Sequence, residues 1–139
     1  MDHKTFIASL SSDAKLDLTA KSDRAGIVHL CCHVGLLLIG AVWIGFGWPL
    51  WWAVLPLYGI TLVFLFTLEH ECTHQTPFAS TSLNEWVGRL CGVVMILPFE
   101  WFRSFHLAHH RWTNIPGKDP EIAEPRPETW GQFVWFLTG

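Results

Sequence analysis

A chain of 139 residues is long enough for one domain and no more. Half of its residues are hydrophobic, nine are Trp, and the formal net charge is −3. There is no basic stripe among its few cations, which excludes nucleic acid as an expected partner.

Residues 1–26 are polar and mixed in charge, a polar lead unlike the apolar core of a cleavable signal. From Ala25 to Leu68 there is no Lys, Arg, Asp or Glu. A bilayer core of about 30 Å takes about 20 helical residues to cross, so this block is long enough for two crossings. Gly45, Gly47 and Pro49 break it, which predicts membrane helices over 27–46 and 50–69. Lys4, Lys15, Lys21 and Arg24 precede the first helix, and Arg89, Arg103, Arg111, Lys118 and Arg126 follow the second. The turn between them is uncharged. The positive-inside rule then places both outer ends in the cytoplasm, as in an inner (cytoplasmic) membrane protein. Trp48, Trp51 and Trp52 at the turn suit an interfacial aromatic belt. The four cysteines, Cys31, Cys32, Cys72 and Cys91, form no C-x-x-C pair, and cytoplasmic thiols stay reduced.

No Gly or Pro interrupts 60–74, so the second helix carries His70 and His74 on its last, cytoplasmic turns before Pro77 stops it. Ser80 to Asn84 offers N-caps for a third helix over 84–97. That helix is apolar but short and contains Arg89, so an interfacial or re-entrant position is expected. After Pro98, residues 101–111 read as a fourth short helix with His106, His109 and His110. Prolines 116, 120, 125 and 127 make 113–128 a loop. Residues 130–139 turn apolar again but would rise only about 15 Å as a helix, like the start of a third membrane helix. The expected fold is an all-α integral membrane protein with two transmembrane helices, an interfacial helix and a cytoplasmic His-rich helix. Residues 1–26 form its cytoplasmic N-terminal segment and 27–139 its membrane domain.

The chemistry lies in two clusters, His70-Glu71-Cys72-Thr73-His74 and His106-Leu107-Ala108-His109-His110. Residues at i, i+3 and i+4 share a helix face, so one cluster offers two convergent imidazoles and the other three. Neutral imidazoles suit iron, zinc or copper rather than magnesium or calcium. Five exceed the three protein ligands of a typical catalytic zinc, which favours two metal ions. A solitary histidine at a membrane end is commonly an interfacial hydrogen-bonding group, but five at ligand spacings on one side of a membrane call for a metal.

H-x-x-x-H at the end of a second membrane helix, followed about thirty residues on by H-x-x-H-H, resembles the membrane fatty acid desaturase superfamily. The continuation Arg111-Trp112-Thr113-Asn114, then Gly117-Lys118-Asp119-Pro120-Glu121, is similar to that family's second box and its loop. The likeness covers about 25–128 and implies a di-iron centre held by His70, His74, His106, His109 and His110. It also implies O2-dependent desaturation of a fatty acyl or other membrane lipid, with electrons from a ferredoxin or cytochrome-type donor. Carotenoid hydroxylases and ketolases share the boxes. The family's third box has no counterpart, since no His follows His110. The expectation is therefore a truncated, N-terminal part of a desaturase-like protein, inactive by itself.

Other readings compete. His70-Glu71-Cys72-Thr73-His74 fits the H-E-x-x-H zinc metalloprotease pattern with Glu71 as general base, but leaves the second cluster surplus. A non-enzymatic metal-binding remnant is also open. His29 and His33 repeat the i, i+4 spacing inside the first helix, and polar packing between membrane helices accounts for them better than ligation. Glu69, Glu71, Glu100 and Asp119 are candidates to orient imidazole N–H groups. Glu71 is evenly balanced between that role and a solvated acid, and the other three are expected to be solvated.

Overall fold

The computed structural model describes residues 2–123 and 127–138, and the side chain of His3 lies outside that description. Every described element is helical: α1 (His3–Ser9), α2 (Ser12–Leu18), α3 (Asp23–Gly45), α4 (Trp51–Thr73), α5 (Thr81–Met95), α6 (Phe99–Trp112), a 3-10 turn at Pro120–Ile122, and α7 (Trp130–Leu137). The chain divides into two units, one ending at Ile96 and one starting at Leu97.

In the first unit, α3 and α4 are each 23 residues long, about 34 Å at 1.5 Å per residue. Both are long and apolar enough to cross a membrane. Neither has a polar face, and Leu36, Leu38, Ile39, Leu57, Ile60 and Val63 are all exposed. A helix that is apolar all round suits a lipid solvent. The predicted spans 27–46 and 50–69 thus gain a turn at one end each: α3 starts at Asp23 and α4 continues to Thr73. Pro56 lies inside α4, and its missing N–H leaves the carbonyl one turn earlier without its usual partner. The turn between the helices holds Gly47 and Leu50 at positive φ, and Trp43 Nε1–H donates to the Pro49 carbonyl at 3.0 Å. Gly40 lets α3 approach Tyr58 of α4, because a Cβ there would lie 2.7 Å from the ring.

The cluster end of this unit is knitted by polar groups. Asp23, at the start of α3, accepts from the Ser80 N–H at 2.8 Å and from the Ser80 hydroxyl. Ser80 is the N-cap of α5, yet its hydroxyl serves Asp23 and makes no cap bond, and α5 begins three residues before the predicted start. Asn84, buried in the first turn of α5, accepts from the Phe78 N–H at 3.3 Å. Its amide donates to the Phe78 and Ser80 carbonyls at 2.9 and 3.0 Å. Leu65, Cys72, Phe78, Val87 and Cys91 form the buried apolar core, where α4 packs on α5.

In the second unit, α6 starts directly after Pro98, two residues before the predicted start, with Phe99 and Phe102 buried. It packs on the 3-10 turn. Of the predicted loop over 113–128, residues 124–126 lie outside the described residues. At the apolar end, α7 carries a capping box in which Thr129 and Gln132 satisfy each other's backbone N–H groups.

Candidate metal centre

His70 pairs with His74 and His106 with His110 as helical spacing predicts, but His109 departs from the expected set of three convergent imidazoles. In the first unit, His70 and His74 lie at the end of α4 with ring centroids 5.0 Å apart, edge to face. His70 Nδ1 lies 3.0 Å from Glu71 Oε1. The other Glu71 oxygen accepts from the Thr76 hydroxyl at 2.6 Å. A carboxylate so placed is an acceptor, which favours the neutral His70 tautomer with its proton on Nδ1. Glu71 is thus engaged by both His70 and Thr76, although its side chain remains 44% exposed.

In the second unit, His106 is buried and His110 exposed, one turn apart on α6. Their Nε2 atoms are 2.9 Å apart. Two donors about 2.1 Å from one ion and at right angles to each other would stand about 3 Å apart. The pair therefore fits adjacent positions on one metal ion without rearrangement. His70, His74, His106 and His110 are all donors that could hold a metal ion.

His109 is turned differently. Its ring centroid is 6.2 Å from that of His106 and 5.8 Å from that of His110. Its Nδ1 meets Asp119 Oδ1 at 2.9 Å and Glu121 Oε2 at 3.3 Å. Asp119 is fully buried, which corrects the expectation of a solvated acid. Burial alone would raise its carboxyl, but hydrogen bonds from His109 and from the Asn114 and Glu121 N–H groups outweigh that and hold it below the usual value. The Asp119 hydrogen bond in turn raises His109, against partial desolvation and with help from the Glu121 charge.

One further correction concerns Glu69. Glu69 is wholly buried on the α4 face that also carries Leu65, Cys72 and Thr73, and neither carboxylate oxygen has a hydrogen-bond partner. Glu100 is exposed, as expected. His33 Nε2 reaches the Thr61 carbonyl of α4 at 2.7 Å, the helix-packing role expected of it. His29 lines a cleft of about 530 Å³ between α3 and α4 with Gly26, Phe64, Leu68, Glu71 and Thr76. Neither the Asp119–His109 pair nor the burial of Glu69 has a periodic signature. Asp119 was named in the sequence only as one of four acids that could orient an imidazole, with nothing to single out His109 as its partner.

A family model described as fatty acid desaturase matches residues 46–139. The chain is 34% identical over 90 residues to an sn-1 oleoyl-lipid 12-desaturase of Picosynechococcus sp., covering 63% of this chain and 26% of that protein. It is 30% identical over 113 residues to a Delta(12) fatty acid desaturase of Mortierella isabellina, covering 70% and 27% respectively. An sn-1 acyl-lipid omega-3 desaturase (ferredoxin) of Synechocystis sp. is 26% identical over 91 residues, covering 66% and 24%. The chain thus spans about a quarter of the length of these relatives. No solved structure matches it.

Proposed function

We propose, for a chain that belongs to the fatty acid desaturase family, that His70, His74, His106, His109 and His110 are ligands of a di-iron centre for O2-dependent desaturation of a fatty acyl lipid. The observation that carries this reading is the His106–His110 pair, whose Nε2 atoms already stand at the separation of neighbouring ligands. The bound iron supplies the oxidising power for an unactivated C–H bond, which no side chain has. Everything else falls to the protein.

Each residue then has a task. Glu71, steadied by Thr76, holds the His70 proton on Nδ1 and leaves Nε2 for metal. That commitment also weighs against Glu71 as the general base of a zinc protease. The apolar walls of the α3–α4 cleft, Leu30, Phe64 and Leu68, give a hydrocarbon chain an approach from the bilayer towards Glu71. The charge pattern favours a cytoplasmic N-terminus and cytoplasmic histidine clusters. A soluble donor of the ferredoxin or cytochrome type fits that side, and one relative's name includes ferredoxin. The relatives' names favour acyl lipids over carotenoids as substrate class.

The test is metal content. The chain, purified in detergent and reconstituted with ferrous iron without oxygen, should hold close to two irons. A variant with His106→Ala and His110→Ala should lose them. One zinc retained by that variant would overturn the reading.

A further inference from the structure

The geometry points to Asp119 as the positioning residue that decides which nitrogen His109 offers to metal. The inference rests on the iron reading above and extends it to a residue outside the ligand set.

Both oxygens of Asp119 are engaged. Oδ1 faces His109 Nδ1 at 2.9 Å and accepts the Glu121 N–H at 3.0 Å. Oδ2 accepts the Asn114 N–H at 2.7 Å. Two backbone donors aimed at one carboxylate fix it as an acceptor, so the proton of the neutral imidazole sits on Nδ1. The lone pair is then on Nε2, the nitrogen left for a metal. Glu121 Oε2, 3.3 Å from the same Nδ1, reinforces that choice.

The carboxylate is itself held in place. Asn114 and Gly117 take left-handed backbone conformations at φ 61° and 74°, and Asp119 caps the 3-10 turn that follows. The side chain of Asp119 is fully enclosed, while that of His109 keeps about a fifth of its surface exposed. The loop therefore presents one shielded carboxylate to one imidazole ten residues earlier in the chain. Acceptors of this kind fix the tautomer and orientation of metal-bound histidines, and their loss typically weakens metal binding about 10–100-fold.

A simpler role for Asp119 is to cap its turn and shape the loop, with the contact to His109 incidental. The two roles differ in what they do to the imidazole. The chain is labelled with ¹⁵N-histidine and studied metal-free in detergent, at a pH above the histidine range. The His109 signals are assigned by their loss in His109→Gln. The wild-type chain should show His109 protonated on Nδ1. Asp119→Ala, which removes the acceptor, should shift it towards the Nε2–H form and weaken anaerobic ferrous-iron binding about 10–100-fold. Gly117→Ala strains the same loop but keeps the carboxylate, and should leave the tautomer unchanged.

An Nε2–H tautomer in the wild-type chain would overturn the proposal, and needs no variant to fold. So would a changed tautomer with unchanged iron affinity, or Gly117→Ala reproducing both losses. A wild-type chain that takes up no iron would instead overturn the iron reading, and would show this in the titration whatever the tautomer.

Discussion

Gly26→Ala should destabilise the first unit, although alanine is the better helix former. Gly26 is buried near the start of α3. A Cβ built on it would lie inside van der Waals contact of the Pro77 carbonyl and 2.6 and 2.7 Å from two carbons of the Phe78 ring. Phe78 is fully buried and its backbone is held on both sides by Asn84, so neither it nor the carbonyl can give way cheaply. Overpacking of this kind costs about 1–3 kcal/mol, against a gain of about 0.5–1 kcal/mol from replacing a helical glycine. The net effect is a loss of about 1–2 kcal/mol. Gly35→Ala is the control, since nothing lies within 4 Å of a Cβ there. Thermal unfolding in detergent should show Gly26→Ala melting several degrees lower, at about 4 °C per kcal/mol, with Gly35→Ala unchanged or higher. Equal melting of the two variants would refute the close approach of α3 to the 77–78 segment.

Glu69 lies buried with neither oxygen partnered, so Glu69→Leu should remove a desolvation cost of about 1–3 kcal/mol and raise the melting temperature; a fall would reveal a partner for the carboxylate. His33→Ala removes only a packing bond between α3 and α4. Such bonds average about 0.6 kcal/mol in membrane helices, so a small loss of stability with unchanged iron content is expected, and loss of iron would make His33 a ligand. The His109–Asp119 pair makes stability depend on pH from both sides. His109 is raised from 6.5, so its share is full below about that value and fades as pH climbs through the raised one. Asp119 is lowered from 3.8, so its share is full above that value and fades as pH falls through the lowered one. In metal-free denaturant titrations the advantage of the wild-type chain over Asp119→Ala should therefore be largest between about pH 4 and 6.5, and a flat difference would refute the pairing. Iron affinity should run the other way and fall with acidity, because ligation needs neutral imidazole. Iron retained unchanged at mildly acid pH would count against histidine ligands.

Much of the architecture was legible in the chain because it depends on local sums. An uncharged run from Ala25 to Leu68 can cross a bilayer wherever the rest of the chain lies, and Gly45, Gly47 and Pro49 divide it without tertiary help. Helical periodicity alone puts His70 beside His74 and His106 beside His110. The start of α5 was placed three residues late because Ser80, Thr81, Ser82 and Asn84 are equivalent cap candidates by residue type, and nothing local marks Ser80, held by Asp23 57 residues away, as the one used.

The acids were beyond the reach of pattern. Glu69, Glu71, Glu100 and Asp119 are alike as letters, yet one is buried and unpartnered, one meets His70, one is exposed and one is enclosed behind His109. What a carboxylate does depends on which donors surround it and whether water can reach it. Those quantities belong to packed neighbours rather than to the residue. Sequence determined where the imidazoles would stand on their helices. Tertiary structure decided which acceptors meet His70 and His109, because only folding brings Thr76 to Glu71 and the 113–122 loop around Asp119.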